Sequence, residues 1–250
     1  MSPSKQIQIA DAETADSNWK SLYRIGGVAP LIALAFYLTQ MLVIVFGEAY
    51  PATIEDWFSL FQRSKVLGLL YLNALDVFSI AFLGTMFLAL YVALKRGSES
   101  YMVIAAFLAF IGVAVFVAPR AEMVSATLSL SDQYAAATTE VHKAQILATG
   151  RAMNALGQAT PQTTGFLFMA VAGLIISVVM LRSRVFNKAT AYLGILAGVV
   201  TSADHICIVV APSIAGILMP VDGLLWLIWW ILVSRGLFQL GKRTSKAAAD

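Results

Sequence analysis

The sequence predicts an all-α polytopic membrane protein, a six-transmembrane-helix bundle with an amphipathic outer-side helix between spans three and four. Apolar residues make up 59% of the 250 residues and charged residues 12%, and the mean hydropathy is +0.79. A soluble domain of this length could not bury so much apolar surface around one core. Six stretches are long enough to cross a hydrocarbon core of about 30 Å at about 1.5 Å per residue. Because lipid offers no hydrogen-bond partners, each is predicted to be a helix.

The membrane domain is predicted to cover residues 22–241, between two short tails. Residues 1–21 are too polar for the apolar core of a cleavable signal peptide, so they are predicted to form a cytoplasmic tail. Residues 242–250 are predicted to form a second, basic cytoplasmic tail. The predicted spans are 22–47, 66–94, 101–124, 163–182, 189–211 and 222–241.

Two of the connections between spans are long enough to carry structure. Residues 48–65 contain Trp57 and Phe58 and are expected to lie along the membrane interface. In the connection 125–162, Asp132 is expected to cap a helix that runs to about Gly157. Its moderate amphipathicity favours a helix lying over the outer mouth of the bundle rather than a dedicated partner-binding helix.

The basic residues predict the orientation of the chain. If the N-terminus is cytoplasmic, most of the 17 Lys and Arg residues fall on the cytoplasmic side, and the other side keeps only five: Arg63, Lys65, Arg120, Lys143 and Arg151. The positive-inside rule then places both termini in the cytoplasm and the protein in the cell membrane. The basic pI of about 9.0 follows from this asymmetry and gives no reason to expect a nucleic-acid partner.

The two ends of the membrane domain carry a family resemblance. The start of span one reads LYRIGG (Leu22 to Gly27), and the last helix reads DGLLWLIWWILVSRGLFQLGKR (Asp222 to Arg243). With these motifs the chain resembles an uncharacterised family of prokaryotic six-span membrane proteins, catalogued as a domain of unknown function. The resemblance implies the six-span architecture and a prokaryotic source, and it implies no reaction and no functional residue.

Charged residues at membrane depth are the candidate functional residues. An ionisable side chain in the hydrocarbon costs several kcal/mol unless it is paired or hydrated, so each one indicates a functional site. From the helical rise, Asp76 is expected about 15 Å from the outer start of span two, and Asp204 about 8 Å below the outer boundary. Arg120, Glu122 and Asp222 also fall in the outer half.

The inner half of the spans offers only neutral polar groups such as Ser79, Thr85 and Ser177. A proton or ion relay that crosses the whole membrane usually needs ionisable groups there. The pattern therefore favours a cavity that opens outward over a through-path. No internal repeat relates spans one to three to spans four to six, which removes one argument for a transporter.

Helical spacing predicts which candidates act together. Asn73, Asp76 and Ser79 follow one another at intervals of three residues and are expected to form a polar stripe on span two. Asp204 and His205 are successive, so their side chains point about 100° apart and do not form one compact dyad. We expect Asp204 to face Arg120 and His205 to be the residue freer to meet a ligand.

Three functional hypotheses follow. The first is binding or sensing of a small molecule, a lipid headgroup or a cation that arrives from the outer side. The second is a structural or assembly subunit in which Arg120 neutralises the carboxylates in an internal ion-pair network. The candidate ligand-binding residues are Asn73, Asp76, Arg120, Glu122, Asp204, His205 and Asp222.

The third hypothesis is a metal-assisted membrane hydrolase. Its weak metal-ligand candidates are Asp76, Asp204 and His205, with Glu122 and His142 as further ligands or a general base. The sequence has no His-Glu-x-x-His, no paired Cys-x-x-Cys and only two histidines. Catalytic residues are therefore not assigned, and an enzyme is not favoured.

Other chemistry has no local support. The chain has no Gly-x-Ser-x-Gly elbow, no complete phosphate-binding Gly-x-x-x-x-Gly-Lys-Ser/Thr and no Gly-x-Gly-x-x-Gly, and no cofactor is expected. The single cysteine, Cys207, excludes an intramolecular disulfide. The expected partners are the lipid bilayer and a small-molecule or lipid ligand. Gly194 and Gly198 are expected to permit close helix packing within the bundle.

Overall fold

The fold is entirely helical in the part of the chain that the computed structural model describes, residues 19–158, 161–183 and 185–247. Most of the predicted N-terminal tail and the end of the predicted C-terminal tail lie outside the described residues. The helices fit a helical membrane bundle, so the predicted fold class is confirmed. In chain order they are α1 Lys20–Phe46, α2 Ile54–Arg63, α3 Lys65–Tyr71, α4 Leu75–Leu94, α5 Glu99–Ala136, α6 Glu140–Gln158, α7 Pro161–Arg182, α8 Lys188–Val210 and α9 Pro212–Ala247.

Six of these helices are long and apolar enough to cross a membrane, namely α1, α4, α5, α7, α8 and α9. Their apolar side chains point in many directions, because a helix in lipid has no polar face to present to water. Large apolar residues such as Phe46, Phe107 and Ile217 are accordingly exposed, at 80%, 66% and 69%. The chain is therefore a multi-pass membrane protein.

The chain divides into two compact units. The first unit comprises Met1–Ile32, Phe82–Val113 and Phe166–Asp250, and the second unit comprises Ala33–Ala81 and Ala114–Gly165. Each unit has its own packing and its own group of polar side chains.

The first unit is held together by small residues at helix contacts. A Cβ atom on Gly198 would lie 3.0 Å from the Cβ of Leu174, and Gly194 lies against Ser177 and Trp229. These contacts bring α8 against α7 and α9, as predicted for the Gly194-x-x-x-Gly198 pair. Close approach of this kind is how membrane helices gain van der Waals attraction without a hydrophobic driving force.

The second unit contains an apolar layer built around α2 and α6. Its core is made of buried side chains that include Trp57 and Phe58, at 5% and 0% exposure, together with Ile146 of α6. A capping box starts α2, in which Thr53 Oγ1 accepts from the amide of Asp56 while the Asp56 carboxylate accepts from the amide of Thr53. The segment expected to lie along the interface is thus a short helix with a buried face.

Several predicted helix boundaries differ from the structure. The helix predicted to start at Asp132 starts at Glu140 instead, because α5 continues through Pro119 and past residue 124 to Ala136. Asp132 lies inside α5, where its carboxylate accepts a hydrogen bond from Lys65 Nζ at 2.9 Å. The last helix begins at Pro212, a residue well suited to a first helical turn, rather than at Asp222.

Candidate functional site

The second predicted span is interrupted near Asp76. Helix α3 ends at Tyr71 and α4 begins at Leu75, so the single helix predicted over 66–94 is a broken one. Asn73 lies in the break with a φ of 55°, a left-handed conformation that asparagine adopts more readily than most residues. The hydrogen bonding is irregular there, since the amide of Ala74 donates to the carbonyl of Leu69 at 3.0 Å.

The break changes which polar residues share a side. Asn73, Asp76 and Ser79 do not form the predicted stripe on one continuous helix, because Asn73 precedes the start of α4. The Asn73 side chain is half-buried and makes no hydrogen bond with the described residues. Ser79 is buried and donates to the carbonyl of Leu75 at 3.0 Å. Only Asp76 remains aimed at other polar side chains.

Gln40 on α1 forms hydrogen bonds with the first two residues of α4, next to the break. Its side-chain oxygen accepts from the amide of Leu75 at 2.9 Å, and its side-chain nitrogen donates to Asp76 Oδ1 at 2.7 Å. The first amides of a helix have no partner within the helix, and in an apolar environment each needs one. Gln40, 3% exposed, supplies that partner, and both ends of its amide are used.

Arg120 of α5 completes this group. Its Nη2 atom lies 3.8 Å from Asp76 Oδ2, with side-chain exposures of 11% for Arg120 and 20% for Asp76. That distance exceeds a hydrogen bond, so the two groups form a loose ion pair. The guanidinium also lies over the ring of Phe116, 5.7 Å from its centroid. We call Gln40, Asn73, Asp76 and Arg120 the break cluster.

Aromatic side chains flank the break cluster in the connection between α1 and α2. Tyr50 is 53% exposed and packs edge-on against Trp57, with ring centroids 5.4 Å apart. Burial raises the pKa of the Tyr50 hydroxyl, and the nearby positive charge of Arg120 opposes that rise. Tyr71 donates from its hydroxyl to the carbonyl of Glu48 at 2.8 Å. The positive charge of Arg120 therefore acts on Tyr50, a partly exposed residue outside the spans.

A second polar group lies on α8 and α9 in the first unit. Trp226 Nε1 donates to Thr201 Oγ1 at 2.8 Å, and the Thr201 hydroxyl donates to Asp222 Oδ1 at 2.5 Å. His205 Nδ1 lies 2.8 Å from the carbonyl oxygen of Thr201. Because a carbonyl can only accept, Nδ1 carries the hydrogen in that bond.

Asp204 belongs to the same group, although one oxygen of its carboxylate has no such hydrogen bond. It is 6% exposed, and its Oδ1 atom is enclosed without a hydrogen-bond partner among the described residues. Asp222 lies within electrostatic range of both Asp204 and His205. We call Thr201, Asp204, His205, Asp222 and Trp226 the Asp204 cluster.

The predicted site residues thus fall into two groups. Asp76 and Arg120 meet in the second unit, and Asp204, His205 and Asp222 meet in the first unit. Glu122 is exposed on α5 and makes no hydrogen bond or ion pair with any described residue. The expected approach of Asp204 to Arg120 stays a prediction, because the two residues belong to different units.

Some members of these groups were not among the predicted site residues. Gln40, Tyr50, Thr201 and Trp226 are neutral, and neutral side chains carry no charge that marks them in an apolar run. A glutamine in the last turns of a membrane helix is nevertheless costly to bury without partners. That cost is the signal that could have identified Gln40.

No three His, Cys, Asp or Glu side chains come close enough together to hold a metal ion within residues 19–158, 161–183 and 185–247. His142, a further candidate ligand, is exposed on α6. The described residues therefore give the metal-assisted hydrolase hypothesis no ligand set.

No curated protein and no solved structure matches the chain significantly. A family model described as Domain of unknown function (DUF4386) matches residues 35–234, a range that contains every predicted site residue. Because this match covers most of the 250 residues, the chain belongs to that family, whose function is unknown.

Proposed function

We propose that the protein binds a small polar molecule or a lipid headgroup at the break cluster. The observation that carries this proposal is the loose pair of Asp76 and Arg120, whose nearest atoms are 3.8 Å apart. A purely structural ion pair gains most when the two groups share direct hydrogen bonds, ideally two. Here the guanidinium and the carboxylate lie next to each other and do not make that bond.

The charges of the break cluster suggest the class of ligand. Asp76 and Arg120 carry opposite charges, so the cluster as a whole favours a molecule without net charge. A zwitterion fits best, with an ammonium group on Asp76 and an anionic group on Arg120. Such a ligand is either a soluble amino-acid-like solute or the headgroup of a zwitterionic phospholipid.

The position of Gln40 supports access from one side of the membrane. Gln40 lies six residues before the end of α1, so it is about 9 Å from that end along the helix axis. The connection that follows carries the partly exposed Tyr50. The distribution of Lys and Arg predicts that this side is the outer one. The ligand would then arrive from outside the cell.

Calorimetric titration of the purified full chain with glycine and with taurine tests the soluble source. Reconstitution in nanodiscs that contain phosphatidylethanolamine or phosphatidylglycerol tests the headgroup source. We expect measurable binding in one of the two arms, and a loss of about tenfold to a hundredfold in affinity for Asp76→Asn and for Arg120→Gln. Absence of binding in both arms would overturn the zwitterion assignment.

A matched control exists in the same unit. Lys65 and Asp132 also form an ion pair, at 2.9 Å, but their side chains are 57% and 56% exposed. Exposed pairs contribute little to stability or binding. Lys65→Gln and Asp132→Asn should therefore leave the affinity for the same probe unchanged. If they weaken binding as much as the Asp76 variant does, the effect is one of general surface charge.

The alternative is a structural role for the same charges. Gln40 satisfies one oxygen of Asp76, and Phe116 lies under the guanidinium of Arg120, which is what an internal network would need. In that case Asp76→Asn and Arg120→Gln lower the melting temperature of the protein in detergent while no probe binds the wild type. The two proposals are distinguished by binding to the wild type, which only a ligand site produces.

The hydrolase hypothesis would require bound metal. Elemental analysis of the purified chain would find stoichiometric zinc or another divalent metal if that hypothesis were correct.

A further inference from the structure

The buried carboxylate of Asp204 lacks a hydrogen-bond donor for one of its two oxygens. It is 6% exposed, and Oδ1 is enclosed without a hydrogen-bond donor in the described part of the chain. A buried carboxylate oxygen normally accepts at least one hydrogen bond, because losing water without replacement costs several kcal/mol. Something other than these side chains has to supply the missing positive charge or donor.

A second carboxylate lies near the first. Asp222 is within electrostatic range of Asp204, although the two come from different helices, α9 and α8. Two like charges at membrane depth repel each other unless a positive charge lies between or beside them. The missing donor at Asp204 already indicates a bound cation. The nearby carboxylate of Asp222 strengthens that indication.

Neighbouring groups hold Asp222 in place. Trp226 Nε1 donates to Thr201 Oγ1 at 2.8 Å, and Thr201 donates to Asp222 Oδ1 at 2.5 Å. These hydrogen bonds fix the position of the Asp222 carboxylate beside Thr201, which lies one helical turn before Asp204 on α8. Trp226 is itself positioned by Gly173, where a Cβ atom would lie 2.5 Å from the edge of the indole ring.

His205 does not balance the two carboxylates by itself. The imidazole also lies within electrostatic range of Asp222, but one histidine carries at most one positive charge against two negative charges. Its Nδ1 atom donates a hydrogen bond to the carbonyl of Thr201 at 2.8 Å. His205 therefore does not supply the hydrogen-bond donor that Oδ1 of Asp204 lacks.

We propose that Asp204 and Asp222 bind a monovalent inorganic cation in the first unit. A divalent cation such as Ca²⁺ or Mg²⁺ prefers six or more oxygen ligands or a full octahedral shell. No third His, Cys, Asp or Glu joins the two carboxylates in a metal-binding group within the described ranges. A singly charged ion, Na⁺ or K⁺, loses much less hydration energy than a divalent ion on entering an enclosed site with few ligands, so it is the class of cation that fits the two carboxylates. This site shares no residue with the break cluster, so it stands independently of the zwitterion proposal.

The test uses the purified full chain in detergent, with NaCl or KCl exchanged for N-methyl-D-glucamine chloride at constant ionic strength. A ligand that binds only the folded state raises the melting temperature as its concentration passes the dissociation constant. We expect a rise of at least about 3 °C at saturating Na⁺ or K⁺, with a dependence on which of the two ions is present. The absence of any difference between the three salts in the wild type would overturn the proposal.

Variants of the two carboxylates locate the site. Asp204→Asn and Asp222→Asn should each abolish the ion-specific shift, whereas Asp132→Asn, an exposed acid in the second unit, should keep it. Trp226→Phe keeps the ring but removes the donor to Thr201, so the apparent affinity should fall about two- to tenfold. A shift that survives in Asp204→Asn contradicts the assignment.

A direct measurement covers the case in which a variant does not fold. The ²³Na resonance of a NaCl solution should broaden in the presence of the wild-type chain, and added KCl should reverse that broadening if the site is shared. Unchanged ²³Na linewidth, together with a wild-type melting temperature that is the same in all salts, would mean that a proton rather than a metal cation neutralises the carboxylates.

Discussion

Gln40 and Asp76 meet across an interrupted membrane helix, with the side-chain nitrogen of Gln40 2.7 Å from Asp76 Oδ1. The same amide accepts from the backbone of Leu75 at 2.9 Å, so one side chain joins the start of a helix to its first carboxylate. A carboxylate in the first turn of a helix is also stabilised by the helix dipole. This contact makes Gln40 the residue on which the geometry of the break cluster depends.

Replacing Gln40 with alanine should be strongly destabilising. The substitution leaves the amide of Leu75 and the carboxylate of Asp76 without their partner at a position that is 3% exposed. We expect a loss of about 2 to 4 kcal/mol in unfolding free energy, measured by chemical denaturation in mixed micelles. Thr39→Ala is the matched control, because Thr39 is exposed and bonds only within its own helix. A loss in Thr39→Ala of the same size would contradict the role of Gln40.

Substitutions at Asn73 separate its backbone from its side chain. Because φ is 55° there, glycine should be tolerated, whereas alanine should cost about 1 to 2 kcal/mol. Thermal melting of Asn73→Gly and Asn73→Ala in the same detergent measures the difference. If both variants lose the same stability, the amide side chain matters for folding and the left-handed backbone does not.

The capping box of α2 should make the apolar layer sensitive to acid. The Thr53 hydroxyl, and then the Thr53 amide, hold the pKa of Asp56 below its usual value of 3.8. A carboxylate whose pKa is lower in the folded state stabilises that state above pH 3.8, and the contribution is lost as the pH falls through the lower, folded-state pKa.

Hydrogen exchange of α2 measures that pH dependence. We expect amides near Trp57 to lose protection below about pH 4 in the wild type, after correction for the intrinsic exchange rate. Asp56→Asn should show weaker protection at neutral pH and a smaller change on acidification. Thr53→Ala should cost about 1 kcal/mol at neutral pH. Protection of α2 that does not change with pH in the wild type would refute this account.

Two glycines on helices of the first unit should respond in opposite ways to alanine. A Cβ atom on Gly173 would lie 2.5 Å from the Trp226 ring, whereas a Cβ atom on Gly216 would have nothing within 4 Å. We expect Gly173→Ala to destabilise by about 1 to 3 kcal/mol through overpacking, and Gly216→Ala to be neutral or stabilising by about 0.5 to 1 kcal/mol. Circular dichroism melts measure both, and a loss in Gly216→Ala would show that another surface covers it.

The sequence predicts the six spans because apolar content and length determine whether a helix can cross a membrane, whatever its neighbours are. It does not predict the break at Asn73, since the stretch Leu70 to Asp76 contains neither proline nor glycine. That conformation is joined by Gln40, 35 residues before Leu75 in the chain, which accepts from the amide of Leu75. A tertiary contact of this kind is invisible to local propensity.

The candidate residues could be predicted individually, but their grouping could not. Charge at membrane depth singles out Asp76, Arg120, Asp204 and Asp222 without any structure. Which carboxylate lies next to Arg120 depends on helix packing, and the neutral partners of each carboxylate carry no charge to mark them. Asp76 is the partner that the structure gives to Arg120.

The hydrogen bond from His205 Nδ1 to the carbonyl of Thr201 also makes the imidazole a spectroscopic reporter. Since Nδ1 donates to that carbonyl, Nε2 is the ring nitrogen whose resonance reports on the groups around the imidazole. In a protein with two histidines, of which His142 is exposed, the ¹⁵N resonance of His205 Nε2 can be assigned from a single His142→Gln variant. Its chemical shift would then follow, in the intact chain, the electrostatic state of the carboxylates beside it.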